Sequence, residues 1–184
     1  MRKFRVLWTA LAVLSAFAAC CAAGEAGETV SYKKYVDKKF GFSVEYPDFF
    51  AGSDAYVDED GMSNFEAQTA GEDGDGKHHV IVSGGKRPKG ADGKSLLKQA
   101  TDMKEDKFGY VNGVEPLPGT ARSGADFYAL EYVTDRTGGA SIVHRYCLVG
   151  KKTMVTYELC YPREEAERFS EIQKRMDASL KVKD

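Results

Sequence analysis

The stretch DFYALEYVTDRTGGASIVHRYCLVGKKTMVTYELCY, residues 126–161, decides the fold. It contains three runs in which aromatic, aliphatic and β-branched residues recur at the spacing of strands. The three runs are Asp126 to Thr134, Ala140 to Val149 and Thr153 to Tyr161. Short turns separate them, at Asp135 to Gly139 and around Gly150-Lys151. Because these connections are too short for parallel crossovers, the runs predict an antiparallel meander.

More strands are predicted in the N-terminal half of the chain. In the segment Tyr35 to Pro47, apolar side chains from Phe42 to Tyr46 alternate with polar ones, which is typical of a half-buried strand, and the proline ends it. Two shorter strands are expected around a polar hairpin tip. These strands and their tip are Asn64 to Thr69, His78 to Gly84 and Gly71 to Lys77.

The first predicted helix follows Asp92, whose carboxylate can cap a helix N-terminus. Its apolar face comprises Leu96, Leu97, Ala100 and Met103. We expect this helix to end near Gly109, because glycine is favoured just past a helix C-terminus.

The second predicted helix begins at Pro162, a residue favoured at the first helical position. Acidic residues follow at once and basic residues come late, as the helix dipole prefers. The acidic residues are Glu164, Glu165 and Glu167, and the basic ones are Lys174, Arg175 and Lys181. Its buried stripe is expected to be Ala166, Phe169, Ile172, Met176 and Leu180.

The N-terminus is typical of an export signal. Basic residues at positions 2, 3 and 5 precede an acid-free apolar run from Val6 to Phe17, and small residues follow. This run is too short for a permanent membrane span, since a hydrocarbon core of roughly 30 Å needs about 20 residues. We therefore predict a signal peptide over residues 1–19, a flexible tether over residues 20–31 and a single α+β domain over residues 32–184.

The cleavage site has two interpretations. The sequence Phe17-Ala18-Ala19-Cys20 resembles the lipobox of bacterial lipoproteins, with Phe where Leu is usual. That resemblance implies lipidation at Cys20, which would become a diacylated N-terminus attached to the membrane. Ordinary cleavage after Ala18 or Ala23 also fits the small residues here, and it would release a soluble periplasmic or secreted protein.

The order of elements resembles the PsbP/Mog1-like superfamily. The resemblance rests on an opening tyrosine, the segment Asp37 to Pro47, and the long meander with a helix after Tyr161-Pro162. It implies an α+β fold in which helices pack on an antiparallel sheet. Members include photosystem assembly subunits, a nuclear transport cofactor and many bacterial envelope lipoproteins, which generally act by binding. The shared residues are strand, turn and core positions, so they identify no binding residue.

Charge disfavours nucleic acid as a partner. The chain has 26 basic and 28 acidic residues, and the predicted leader removes three basic ones, which leaves a formal net charge of −5. A mildly acidic domain has no basic footprint for phosphate backbones.

Several stretches match part of a known binding motif, but each lacks an essential residue of that motif. The segments Gly71 to His78 and Pro88 to Ser95 have the Gly and Lys spacing of a phosphate loop, but the first has His in the Ser/Thr position and the second begins with Pro. The acidic stretch Asp54 to Glu66 matches the middle of a calcium loop without its end ligands, and a solvated loop is the better interpretation, although a weak calcium site stays possible.

Histidine and cysteine placements indicate no catalytic or metal site. His78 and His79 are adjacent on a predicted strand and therefore point to opposite faces, and so do His144 and Cys147. Ser141 lacks the flanking glycines of a nucleophile elbow. We therefore predict no catalytic residues, no cofactor and no metal ligands in this chain.

The two cysteines of the domain are predicted to be free thiols. If the last hairpin turns at Gly150-Lys151, Cys147 lies opposite Met154 and Cys160 lies opposite Ser141. That offset separates the cysteines by close to 20 Å along the strands, whereas a disulfide needs Cα atoms within about 7 Å.

The functional expectation is a noncatalytic, exported bacterial protein that binds or assembles with an envelope protein partner. Two alternatives remain open: a small-ligand carrier, and a hydrolase whose active site is dispersed over distant loops. Localisation is expected to be extracytoplasmic, with membrane attachment through the lipid on Cys20 or, without it, as a soluble protein.

Overall fold

The computed structural model describes residues 30–69, 77–102, 105–106, 109–117, 126–136 and 139–183. The chain separates into two units, Met1–Val30 and Ser31–Asp184, and the elements below belong to the second unit. The predicted signal peptide, Cys20, most of the tether, the hairpin tip at residues 71–76 and Met103 lie outside the described residues.

Within the described residues, the chain forms eleven strands, two α-helices and one 3-10 turn. The strands are β1 (Tyr32–Asp37), β2 (Phe42–Pro47), β3 (Ala51–Val57), β4 (Ser63–Gln68), β5 (His79–Lys86), β6 (Glu105–Asp106), β7 (Gly109–Leu117), β8 (Asp126–Arg136), β9 (Gly139–Val149), β10 (Thr153–Pro162) and β11 (Lys181–Val182). The helices are α1 (Gly93–Thr101) and α2 (Ala166–Ser179), and the 3-10 turn is Arg163–Glu165.

The strands form two antiparallel sheets. The larger has eight strands in the order β3-β4-β5-β10-β9-β8-β7-β6, and the smaller has three in the order β1-β2-β11. The predicted meander is confirmed, since β8, β9 and β10 are consecutive neighbours in the larger sheet. The α+β class with an antiparallel sheet is confirmed as well.

Each helix packs on a different face of the larger sheet. On the α1 face, Leu96 and Leu97 pack against a buried cluster. That cluster is Ile81, Ala100, Tyr128, Leu130, Tyr132, Val143, Cys147, Val149 and Cys160. On the α2 face, the ring of Phe169 stacks on Tyr161 with 4.5 Å between centroids. Because side chains alternate along a strand, consecutive residues of β9, and likewise of β10, face different helices.

Helix α1 starts where predicted and ends early. Asp92 caps it: its Oδ1 accepts from the Ser95 amide at 2.7 Å, and the Ser95 hydroxyl accepts from the Asp92 amide at 3.1 Å. The expected end near Gly109 is wrong, because α1 stops at Thr101 and Gly109 begins β7. The physical reason is the charged run at residues 104–107, which adds no apolar residue to the helix stripe.

Helix α2 begins four residues later than predicted. Pro162 is the last residue of β10, with an extended backbone, and the 3-10 turn intervenes before Ala166. The predicted stripe is otherwise confirmed: Phe169, Ile172, Met176 and Leu180 are fully buried, while Ala166 is half-buried.

The N-terminal hairpin contains one strand more than predicted. Strand β2 has the expected pattern, with Phe42, Val44 and Tyr46 buried, and β1 pairs with it along its whole length. The Asp37 carboxylate accepts the Phe40 amide at 2.6 Å in the connecting turn, and Gly41 adopts a φ of +70° there.

The last hairpin has a register two residues away from the predicted one. Its turn is centred on Lys151-Lys152, so Cys147 lies opposite Thr156 and Cys160 lies opposite Val143. The predicted partners, Met154 and Ser141, are therefore wrong. The cysteines are still four positions apart, or about 13 Å at 3.3 Å per residue. Both cysteines are buried and are not disulfide-bonded, as predicted.

Replacing Phe169 tests the packing of α2. Phe169 is 0% exposed, so Phe169→Ala should lower the free energy of unfolding by about 3–5 kcal/mol. Urea denaturation followed by circular dichroism measures this loss. Glu167→Ala, at an exposed position of the same helix, should cost less than about 1 kcal/mol. Equal losses for the two variants would contradict the assigned packing.

Candidate functional site

A row of polar side chains crosses five strands on the α1 face of the larger sheet. The row consists of Asn64, Ser83, Thr156, Cys147 and Tyr128, each directly opposite the next. These residues lie on β4, β5, β10, β9 and β8 in turn. The backbone register thus assembles one hydrogen-bonding strip from residues that are distant in sequence.

A second row runs beside the first, two residues further along each strand. In it, Ile81 lies opposite Glu158, and Glu158 lies opposite Arg145. The two rows line a pocket of about 250 Å³ whose walls are Ile81, Ser83, Tyr128, Arg145, Thr156 and Glu158. Ile81 and Tyr128 also belong to the cluster against which α1 packs, so the pocket adjoins that core.

Arg145 and Glu158 form an ion pair in this pocket. The Arg145 Nε donates to Glu158 Oε1 at 2.6 Å, and Nη2 contacts the same oxygen. Only 11% of the arginine side chain and 12% of the glutamate side chain are exposed. Nη2 also donates to the Tyr132 hydroxyl at 3.4 Å, and the guanidinium lies 5.5 Å from the centre of that ring. The arginine is thereby held in one orientation.

The electrostatics of the pocket keep the Arg145 guanidinium charged. Burial alone, the largest single effect, would lower the pKa of Arg145, but the Glu158 carboxylate and the Tyr132 and Tyr128 phenols together outweigh it and the pKa is raised. The guanidinium therefore remains protonated, and its charge is balanced within the pocket.

The thiol and phenol beside the ion pair are held neutral. Burial raises the pKa of the Cys147 thiol to about 11, although hydrogen bonds with Thr156 and Tyr128 oppose that rise. Burial also raises the pKa of Tyr128. Because the thiolate is the reactive form of cysteine, Cys147 is not an activated nucleophile at neutral pH. These groups serve as hydrogen-bonding groups.

The far end of the polar row is fixed by the β3–β4 turn. The Ser83 hydroxyl donates to Asn64 Oδ1 at 2.6 Å, and the Asn64 amide donates to Asp58 Oδ2 at 2.9 Å. Asp58 also accepts the Met62 amide at 2.8 Å, and these hydrogen bonds, that from Asn64 first, lower its pKa. In the acidic stretch that partly matches a calcium loop, the Asp58 carboxylate thus stabilises a turn.

A second polar cluster lies on the α2 face. His144 is 3% exposed, with Nε2 at 3.1 Å from Asp177 Oδ1 and Nδ1 at 3.3 Å from Glu131 Oε1. The Tyr157 hydroxyl donates to the same Asp177 oxygen. Gln173 donates to Glu131 at 2.9 Å. The cluster therefore connects β8, β9 and β10 to α2.

Two carboxylates determine the charge of the His144 imidazole. Burial would lower the pKa of His144, but the hydrogen bonds and charges of Asp177 and Glu131 outweigh it and raise the pKa. The pKa of Glu131 is lowered, mainly by its hydrogen bond to His144. The cluster therefore favours an imidazolium held between two carboxylates.

The other histidines singled out in the sequence occupy separate places. His78 precedes β5, lies 3.0 Å from a Glu165 oxygen and stacks on the Phe169 ring. His79 is the first residue of β5 and lies opposite Cys160. His144 and Cys147 belong to opposite faces, as predicted. Among the described side chains, no group of three or more His, Cys, Asp or Glu residues could hold a metal ion.

Sequence reasoning missed the pocket residues. The available signal was a charged residue whose neighbours two positions away along the strand face the core, as in Val143-x-Arg145-x-Cys147. Glu158, between Thr156 and Cys160, is the corresponding residue of β10. Two such residues of opposite charge on neighbouring strands indicate a buried ion pair, provided that the register between those strands is known.

Comparison with known proteins identifies the fold. No protein-family model matches this chain, and no curated protein matches it significantly. The solution structure of the cyanobacterial PsbP, CyanoP, from Synechocystis is similar, with a TM-score of 0.53, 13% identity, and coverage of 85% of this chain and 95% of that one. This likeness supports the PsbP/Mog1-like fold that the sequence resemblance implied.

Two other solved structures are more distant. A crystal structure from Bacteroides thetaiotaomicron gives a TM-score of 0.48 at 15% identity over 83% of this chain, which spans about half (48%) of that protein. LpqN, described as involved in cell envelope biogenesis of Mycobacterium tuberculosis, gives a TM-score of 0.40 at 9% identity, with coverage of 86% and 88%. At these similarities no function is transferred.

From the His144 cluster we predict that the free energy of unfolding decreases at alkaline pH. Because the folded-state pKa of His144 is raised, its stabilisation is complete below the unfolded value of about 6.5 and is lost as pH rises through the folded value. The urea midpoint should therefore fall from pH 6 toward alkaline pH. Glu131→Gln removes one carboxylate, so its decline should begin at lower pH.

An NMR titration of the imidazole measures the same effect directly. The His144 Cε1 proton should titrate at lower pH in Glu131→Gln than in the wild type. Glu167→Gln, on the exposed side of α2, is the control and should leave this titration unchanged. An unaltered His144 titration in Glu131→Gln would refute the charge assignment.

Proposed function

We propose that this protein is a noncatalytic binding module of the bacterial cell envelope, which acts through the pocket on its α1 face. The observation that carries this proposal is the Arg145–Glu158 ion pair, which is largely buried yet lines an open pocket. A fixed pair surrounded by hydroxyl groups is suited to recognition, because its hydrogen-bonding directions are set before a ligand arrives.

The state of the pocket residues favours binding over catalysis. A general base or nucleophile has to be available to the substrate and poised near its working pKa. Here the Glu158 carboxylate is engaged by Arg145, and burial keeps the Cys147 thiol protonated. His144 is buried on the other face between two carboxylates. The hydrolase alternative therefore receives less support than the binding function.

A small-ligand carrier is the second candidate, because the pocket presents several hydrogen-bonding side chains to one small volume. About 250 Å³ is slightly below the range of about 300–1,000 Å³ typical of sites for drug-sized ligands. A carrier would therefore hold a small molecule. An assembly module would instead use the pocket rim against an envelope protein.

The proposed location is outside the cytoplasmic membrane. It is supported by the predicted signal peptide at residues 1–19 and by the short tether that follows. Among the described residues, no helix has the length and apolar character needed to cross a membrane. The proposed membrane attachment is through two acyl chains at Cys20, which anchor a protein more stably than one chain does.

Replacing Cys20 tests the anchor. Cys20→Ala should move the protein from the membrane fraction to the soluble fraction, because the acylated sulfur is lost. Cys21→Ala is the matched control and should leave the protein in the membrane. Intact mass should show a diacylated mature chain that begins at Cys20. An unmodified chain that begins at Ala19 or Gly24 would refute lipidation and leave soluble export.

Site-specific photocrosslinking in the native envelope tests the binding function. A photoreactive residue in place of Ser83, on the pocket wall, should give one discrete protein adduct if the protein is an assembly module. The same residue in place of Glu167, exposed on α2, should not give that adduct. Copurification of a small molecule, seen by native mass spectrometry, would support the carrier. If no protein adduct forms, no small molecule copurifies and the protein shows hydrolytic turnover, noncatalytic binding is overturned.

A further inference from the structure

We infer that the α1-face pocket binds a small uncharged polyol about the size of one sugar ring. This inference rests on the proposed binding function, and it names the chemical class of the ligand. Three properties of the pocket support it: its charge balance, its hydrogen-bonding groups and its dimensions.

Charge balance disfavours ligands with a formal charge. The pocket holds one positive and one negative side chain, Arg145 and Glu158, already joined at 2.6 Å. An anionic ligand would have to compete with Glu158 for the guanidinium, and a cationic ligand would have to compete with Arg145 for the carboxylate. Either competitor would leave one largely buried charge without its partner, which is strongly unfavourable. An uncharged ligand leaves the ion pair intact.

The hydrogen-bonding groups favour hydroxyls in the ligand. Arg145 donates and the Glu158 carboxylate accepts, while the hydroxyls of Thr156 and Tyr128, which already hydrogen-bond with Cys147, can still accept. Ser83 already donates to Asn64 at 2.6 Å, so its oxygen remains able to accept. Neighbouring hydroxyls of a polyol match this mixture, because one can accept from the guanidinium while the next donates to the carboxylate. An amide has its donor and its acceptor on fixed, separate atoms.

The remaining surface and the size suit a single ring. Ile81 and the ring of Tyr128 line the pocket beside the polar groups, and they offer apolar contacts to the C–H groups of a polyol. The volume of about 250 Å³ limits the ligand to a small molecule. The pocket therefore accommodates one sugar-sized ligand and not a long chain.

Calorimetric titration of the exported protein with defined probes tests this inference. The uncharged probes are glucose, galactose and mannitol; glucuronate and glucosamine are the charged counterparts of glucose, and acetamide is the amide probe. At least one uncharged polyol should saturate the protein. The charged relatives should bind at least about tenfold more weakly, which corresponds to about 1.4 kcal/mol. Tighter binding of a charged probe, binding of acetamide alone, or no saturation by any polyol below roughly 10 mM would overturn the inference.

A pair of Thr→Val variants links binding to this pocket. Thr156→Val removes a pocket hydroxyl and keeps the side-chain shape, so it should weaken polyol binding about tenfold. Thr134→Val is the matched control. Thr134 is fully buried, lies six residues along β8 from Tyr128, and its hydroxyl has no hydrogen-bond partner among the described residues. Unchanged affinity in Thr156→Val, or an equal loss in Thr134→Val, would contradict the assignment of the ligand to this pocket.

The two levels of the proposal fail in different ways. Thermal unfolding of both variants verifies that they are folded before titration. If no polyol binds but the Ser83 photocrosslink still captures its envelope partner, the ligand class is wrong and the binding function stands. If the crosslink is also absent and the protein shows hydrolytic turnover, the binding function itself fails.

Discussion

The register between β9 and β10 is the constraint on which the rest of this structure depends. It places Arg145 opposite Glu158 on one face of the sheet and Tyr146 opposite Tyr157 on the other. Because side chains alternate with a period of two, a slip of one residue would exchange the two faces. Arg145 would then lie under α2, and the aromatic residues that α2 covers would face the pocket. Core, pocket and helix docking are thus consequences of one pairing.

The two faces use buried polar groups differently. On the α2 face, His144, Asp177 and Glu131 are satisfied by one another and by the helix that covers them. On the α1 face, the polar row continues past the cluster that the short helix α1 covers and lines an open pocket. A network closed by protein groups contributes to rigidity and specificity of packing. A network that borders open volume can exchange water for a ligand, and for this reason the α1 face is the functional one in our proposal.

The sequence predicted the elements whose local pattern agrees with their final environment. The alternation in β2, β8 and β10, the cap at Asp92 and the α2 stripe all express burial on one side. Strand β3 escaped prediction because its described side chains are exposed on both faces. Strand β7 escaped because a register shift between Asn112 and Glu115, Gly113 and Pro116 interrupt its period. The pocket escaped because its residues meet only through the pairing of four strands, which local patterns do not encode.

The hydrophobic pattern alone does not distinguish between two registers of the β9–β10 hairpin, and the ion pair contributes to that distinction. The register expected from the turn sequence differs from the real one by two residues, and a two-residue slip keeps every side chain on its correct face. Burial therefore distinguishes these two registers poorly. In the slipped register, however, Arg145 would face Thr156 and Glu158 would face Val143, so the two largely buried side chains would be diagonal neighbours and no longer directly opposite. Directly opposed residues of opposite charge stabilise a strand pair by roughly 0.2–1 kcal/mol, so their direct pairing favours the observed register. The charges that line the pocket thus also favour the pairing that builds it.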